Sequence, residues 1–213
     1  MSYKKERKTI VFDDELTIEF FKLILQKSLN TKSPQPENSI IIEIVTYCIK
    51  SLDAFFKEGL ISMFIELLKA GINTEDVPKF FCKIDLNKHL IFEIYQRGLL
   101  DKFAEVFGSQ EFPSTIILNL WIKLAGKICT NSAIQEKYLE KNIHKLVWKK
   151  YVEHLSSDME SKKNLAFFFG YLSKKNSKVF EFLVENQVLE KLLTSLQGEN
   201  CEELYLLFYN TLA

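Results

Sequence analysis

The chain has 213 residues, of which 47% are hydrophobic and 26% are charged, and this composition excludes a disordered protein. Its 28 basic residues balance its 28 acidic residues, so net charge gives no general case for nucleic-acid binding, and no apolar run reaches the roughly 18–20 residues of a membrane span. Seven Gly and four Pro are too few for a protein rich in sheets and tight turns, which favours helices.

The N-terminal region predicts a tail followed by two helices. Residues 1–14 carry a basic run and then an acidic run without an apolar signal-peptide core, so we expect a flexible tail and a protein of the cytoplasm or nucleus. The basic run at 4–8 suits either a solvated tail or a nuclear-localisation patch. Apolar spacing predicts a helix over 15–29, polar and proline residues predict a loop over 30–39, and a second helix is expected over 40–56.

Four later segments share one kind of junction, in which a helix ends and an apolar helix begins at once. The residues at these junctions are Gly59, Gly98, Asn142 and the pair Asn186-Gln187. Gly and Asn end helices in a left-handed conformation at low steric cost. Successive junctions are 39 residues apart from Gly59 to Gly98, 44 from Gly98 to Asn142 and 45 from Asn142 to Gln187. A period in the low forties with two or three helices per unit is typical of armadillo and HEAT repeats.

Helical patterns and breaks place further helices between these junctions. Capping residues and Pro113 predict where several of them begin. The predicted ranges are 112–129, 133–141, 143–155, 159–173, a short helix ending at 186, 188–196 and 201–212.

Two stretches resemble the armadillo-repeat superfamily. TNSAIQEKYLEKNIHKLV is similar to the short first helix, the junction and the second helix of that family, and MESKKNLAFFFGYLSKKNS is similar to its third helix. The resemblance covers residues 40–213 and is clearest over 118–200. It implies an all-α, right-handed superhelical α-solenoid of about four to five repeats, with 15–213 as one domain and a non-catalytic scaffold function. The family's peptide-binding members carry an Asn on the third helix; Lys127 and Tyr171 stand at the matching positions, so recognition of a basic import signal by that mechanism is not expected.

The sequence contains no recognisable catalytic or cofactor site. His89, His144 and His154 lack metal-ligand spacing, and no glycine-rich phosphate-binding motif is present. The four cysteines lie far apart in helical patterns, which favours buried thiols over a disulfide or zinc site. We therefore expect no enzyme activity, no cofactor, no metal and no small-molecule substrate.

The charges are unevenly distributed along the chain. Residues 121–180 contain 12 Lys against 5 acidic residues, a difference of +7, whereas residues 181–213 contain 1 Lys against 6 Glu, a difference of −5. The basic block is either a set of solvated helix faces or a surface for an acidic partner. Nucleic-acid or anionic-lipid binding is the alternative, and the absence of Arg from the block speaks against nucleic acid.

The candidate partner-binding residues come from this block and from the expected third helices. The basic face would consist of Lys145, Lys149, Lys150, Lys162 and Lys163. The third helices would contribute Lys123, Lys127, Lys163, Phe167 and Tyr171. Trp121 and Trp148 have helical spacing typical of core residues, with base stacking as the alternative.

The last residues are apolar where a terminal repeat should have a polar outer face. We therefore expect that the chain is a fragment or that a partner, for example a second copy, covers this end.

Overall fold

The computed structural model describes residues 15–47, 59–84, 86–110, 114–154, 158–174, 176–195 and 202–212. These residues contain thirteen α-helices and no β-strand, which confirms the all-α prediction. The described residues separate into two compact units, with the division after Ile84. None of the described helices is long and apolar enough to cross a membrane.

The first unit contains four described helices: α1 (Glu15–Thr31), α2 (Pro36–Tyr47), α3 (Leu60–Lys69) and α4 (Asp76–Lys83). α1 packs against α2 and α3, and α4 packs against α2 and α3. The loop predicted over 30–39 is shorter than expected and spans only 32–35. Pro36 takes the first position of α2, where its fixed φ and missing N–H cost nothing. The helix expected over 40–56 is described as far as Tyr47, and the rest lies outside the described residues.

The second unit repeats one set of three helices three times. The helices are α5 (Lys88–Gln96), α6 (Leu99–Gly108), α7 (Thr115–Ile128), α8 (Ser132–Glu140), α9 (Ile143–His154), α10 (Met159–Leu172), α11 (Ser177–Glu185), α12 (Val188–Ser195) and α13 (Glu202–Leu212). Equivalent helices begin 43 to 45 residues apart, at 88, 132 and 177, at 99, 143 and 188, and at 115, 159 and 202. We refer to each set in chain order as first, second and third helices.

The junctions confirm the local conformation predicted from the sequence. Gly59 and Gly98 have φ of 78° and 77°, and Asn142 and Gln187 both have φ of 53°. All four residues therefore lie in the left-handed region that lets a helix stop and the next begin without a long loop.

Side-chain caps fix where five described helices of the second unit begin. Asn87, Ser114, Asn131, Asp158 and Asn176 each accept a hydrogen bond from a backbone N–H in the first turn of the helix that follows. These caps satisfy N–H groups that have no partner within the helix. They place the starts of α7 and α10 at equivalent positions of successive sets.

Third helices pack side by side in the second unit. α10 lies against both α7 and α13, while the second helix α9 packs against α6. Buried aromatic rings connect these helices: Phe103 meets Trp121 and Tyr138, and Tyr138 meets Phe168. Rings at centroid distances of 5.3–6.0 Å combine large burial with favourable edge contacts. The core therefore runs continuously from one helix set to the next.

Two glycines allow the third helices to approach each other closely. A Cβ at Gly126 of α7 would lie 2.5 Å from Cδ1 of Phe167, and one at Gly170 of α10 would lie 3.1 Å from the backbone N of Leu207. Both glycines therefore stand where a side chain would separate α10 from a neighbour. They are 44 residues apart, at equivalent positions of successive sets.

We expect Gly170→Val to destabilise the second unit by about 1–3 kcal/mol, because a β-branched side chain must push α13 away from α10. Equilibrium urea unfolding measures this loss. Gly108→Val is the matched control: nothing lies within 4 Å of a Cβ at Gly108, so its expected change is within about 0.5 kcal/mol. Equal effects of the two substitutions would show that close packing at Gly170 does not matter.

Candidate functional site

The third helices α7 and α10 present most of the predicted partner-binding side chains. Lys123 and Lys127 are four residues apart on α7, and Lys163, Phe167 and Tyr171 follow one another at the same spacing on α10. Residues four apart lie on one face of a helix. All five are partly exposed. We call these five residues the third-helix surface.

An aromatic pair lies on this surface. The rings of Phe167 and Tyr171 meet edge to face at a centroid distance of 4.9 Å. Because Gly126 has no side chain, the Phe167 ring lies directly against α7. The pair therefore has a fixed base and leaves part of both side chains accessible to a partner.

Polar contacts anchor α10 on either side of the aromatic pair. Asn119 of α7 donates to the carboxylate of Asp158 (2.9 Å), which also accepts from the backbone N–H of Ser161 (2.7 Å). Hydrogen bonds from Ser161 and Asn119 lower the pKa of Asp158, so this cap stays ionised. Near the other end of α10, the amide of Gln135 donates to the backbone oxygen of Tyr171 (2.9 Å).

The sequence did not identify Gln135 as a functional residue. It is buried, and its amide also donates to the backbone oxygen of Cys129 at 2.9 Å. The side chain therefore joins the ends of α7 and α10 and fixes the backbone of Tyr171. A single glutamine in a short polar helix carries no sequence signal for such a contact, because both its partners are backbone atoms and one of them is 36 residues away.

The lysines on the two third helices are partly neutralised. Nζ of Lys123 lies 3.6 Å from Oε1 of Glu160, an ion pair between α7 and α10. The Lys123 side chain is 45% exposed, so solvent weakens this pair. Lys162 lies near the Asp158 carboxylate and helps to keep it ionised.

The other predicted lysines lie on α9. Lys145 and Lys149 are exposed one turn apart, and Lys149 lies 3.9 Å from Glu153. Lys150 does not share this exposure, because only 5% of it reaches solvent. It falls on the same buried stripe as Ile143, Val147 and Tyr151, so its stem lies among core residues. Lys150 was predicted to lie on the exposed basic face, and this prediction is wrong because the residue is buried.

The lysines expected to form one basic face are divided between two helices. Lys145 and Lys149 lie on α9, which packs against α6 and α8. Lys162 and Lys163 lie on α10, which packs against α7 and α13. Of these four, Lys163 alone continues the stripe of Phe167 and Tyr171.

The described reactive side chains are mostly buried. Burial raises the pKa of the Cys129 thiol and lowers the pKa of His144 to about 4, to which the Lys145 ammonium also contributes. The first change favours the unreactive thiol over the thiolate, and the second makes the imidazole a weak base. Trp121 and Trp148 are buried, as the core interpretation predicts. Cys48 and Cys201 lie outside the described residues, and within the described part no three His, Cys, Asp or Glu residues converge as metal ligands would.

Comparison with known proteins gives no relative for this arrangement: no family model, no curated protein and no solved structure matches the chain.

Proposed function

We propose that the chain is a non-catalytic interaction scaffold of armadillo-like repeats, which binds a partner protein or peptide through the third-helix surface. The recurrence of first, second and third helices every 43 to 45 residues supports the repeat assignment. The side-by-side packing of α7, α10 and α13 supports the solenoid. We expect such a right-handed superhelical array to act in the cytoplasm or nucleus.

The observation that carries the binding proposal is the fixed aromatic pair with lysines beside it. Aromatic side chains contribute large contact areas at low entropic cost and are frequent centres of binding energy. Lys123, Lys127 and Lys163 add positive charge to the same two helices. The expected partner therefore presents an apolar group with acidic neighbours, and salt should slow its association.

Nucleic acid or anionic lipid remains the alternative ligand of the Lys-rich block. Several features favour a protein instead. Lys150 is buried, and Lys123, Lys137 and Lys149 each lie within 4.0 Å of a glutamate. The other described lysines of the block are spread over α7, α9, α10, α11 and the segments between these helices. Phosphate backbones are best bound by a continuous run of unpaired cations.

We expect the triple variant Lys123→Glu, Lys127→Glu, Lys163→Glu to capture about tenfold less partner, or less still, than wild type from nuclease-treated lysate. The reason is that charge reversal repels an acidic partner. The matched control is Lys141→Glu, Lys149→Glu, which changes exposed lysines just before α9 and on it. Circular dichroism must first show equal helix content. If both variants lose the same proteins, general basic charge and not the third-helix surface is responsible.

A gel-shift assay and a vesicle-flotation assay distinguish binding of nucleic acid or anionic lipid from binding of a protein. Binding of a single-stranded oligonucleotide, or of vesicles containing phosphatidylserine, that the triple variant abolishes would assign the surface to phosphates instead of to a protein.

The exposed side chains of α13 support self-association as a second contact. Tyr205 and Tyr209 are 69% and 74% exposed on one face of this helix. A concentration-dependent mass in sedimentation would indicate that contact, and it is independent of the third-helix surface.

A further inference from the structure

An open groove separates two of the first helices. Neighbouring third helices, and the second helices α6 and α9, pack closely within the second unit, but α8 and α11 are not among its closely packed pairs. Between them lies a groove of about 690 Å³. The groove is lined by residues of α8, of α11 and of the start of α9. It therefore lies outside the third-helix surface.

The groove is acidic. Glu136 and Glu140 of α8 and Glu181 and Glu185 of α11 line it, against two lysines, Lys145 and Lys178, so the four negative and two positive charges leave −2. Lys137 pairs with Glu140 at 2.8 Å.

Two of these carboxylates have no ion pair with any described residue. Among the described residues, neither Glu181 nor Glu185 has a cationic partner within 4.0 Å. They lie one helical turn apart on α11, an arrangement in which like charges repel. A cationic ligand would reduce this repulsion.

The floor of the groove combines apolar groups with one polar atom that has no hydrogen-bond partner among the described residues. Leu139, His144 and Phe182 form it. His144 is only 6% exposed, its ring meets the Phe182 ring edge to face at 5.0 Å, and in the described part of the chain its Nδ1 atom has no hydrogen-bond partner. A buried polar atom without a partner is rare and unfavourable. The floor thus suits an apolar stem, and an N–H donor that reached Nδ1 would satisfy this atom.

The groove continues into a second one. A neighbouring groove of about 790 Å³ shares Glu136 and Asn176 with it and reaches the polar residues around Asn131 and Gln135. Together they are longer than one side chain. An extended peptide of several residues fits such a track better than a compact small molecule does.

We propose that the groove between α8 and α11 binds an extended, arginine-bearing peptide segment of a partner protein. Arginine matches each element: its guanidinium donates two parallel hydrogen bonds to a carboxylate, and its stem and planar head pack on apolar and aromatic groups. Alternate residues of an extended peptide are about 6.6 Å apart, close to the spacing of about 5–6 Å between residues four apart on a helix. Arginines at alternate positions therefore match Glu181 and Glu185.

This site does not rest on the third-helix surface. The two sites would bind segments of opposite charge, and each can fail without the other.

The test uses fluorescence anisotropy of the full chain with a labelled probe peptide, Ser-Arg-Ala-Arg-Ser-Gly, and the same peptide with lysine in place of arginine. We expect wild type to bind the arginine probe at least about fivefold more tightly than the lysine probe. The double variant Glu181→Gln, Glu185→Gln should weaken arginine binding by about tenfold. His144→Phe, which keeps an aromatic ring but removes Nδ1, should reduce the preference for arginine.

The matched control is the double variant Glu202→Gln, Glu203→Gln on α13, which removes the same charge from the same unit. Its binding should stay within about twofold of wild type. Equal weakening by both double variants would reveal general attraction to acidic residues, and no binding at millimolar probe would exclude the site. Both results overturn the proposal, provided that thermal melts show folded variants.

Discussion

Phe103→Ala should lower the free energy of unfolding of the second unit by about 3–5 kcal/mol, because it removes a fully buried ring and leaves a cavity. Phe103 is 0% exposed, and its ring contacts the rings of Phe107, Trp121 and Tyr138. These residues belong to α6, α7 and α8, so the ring joins two successive helix sets. The loss should therefore affect the whole unit and not one helix.

Urea unfolding followed by tryptophan fluorescence measures this effect selectively. The chain has two tryptophans, Trp121 and Trp148, and both lie in the second unit. Phe92→Ala is the control, because Phe92 is 51% exposed; its expected change is below about 1 kcal/mol. A Phe103→Ala loss no larger than that of Phe92→Ala would contradict the continuous aromatic core.

Acid should destabilise the second unit through His144. Burial lowers the pKa of His144 to about 4 in the folded chain, below its ordinary value of 6.5. As pH falls, His144 is therefore protonated at a higher pH in the unfolded chain than in the folded chain. The stabilisation from neutral His144 is complete above the unfolded pKa and is lost as pH falls towards the folded one. This contribution to the free energy of unfolding totals about 3 kcal/mol. About 2 kcal/mol of it should disappear between about pH 7 and about pH 5.

His144→Phe should remove this part of the pH dependence, because phenylalanine keeps the edge-to-face contact with Phe182 but cannot be protonated. Free energies of unfolding at the two pH values, measured by urea titration, give the difference. His154→Gln is the control: the His154 side chain is 39% exposed, and its loss should leave the wild-type difference intact. The prediction fails if His144→Phe retains the full difference.

Local features of the fold were predictable from the sequence. Gly59, Gly98, Asn142 and Gln187 were expected at left-handed junctions because few residue types tolerate that conformation well, and all four adopt it. Capping residues were expected near helix starts for a similarly local reason, since a short polar side chain caps the turn that follows it, and Ser114 and Asp158 cap α7 and α10 in this way. The loop before Pro36 was predicted too long because proline marks a helix start as readily as a loop.

Contacts between helices were less predictable. Lys150 was assigned to an exposed face, but the packing of α9 places it on the buried stripe. Gln135 and Gly126 gained their roles only from partners on other helices. Phe167 and Tyr171 were identified as binding candidates from the repeat alignment, whereas their edge-to-face contact depends on the missing side chain at Gly126. Periodicity reports which residues share a helix face but not what packs against that face.

Hydroxyl-radical footprinting of the free chain and of its complex captured from lysate tests the central claim most directly, because it reports the solvent access of individual aromatic side chains. We expect binding to protect Phe167 and Tyr171. Phe92, exposed on a first helix of the same unit, should keep its reactivity and serve as the internal reference. Unchanged reactivity of Phe167 and Tyr171 in a complex that forms would contradict binding through the third-helix surface.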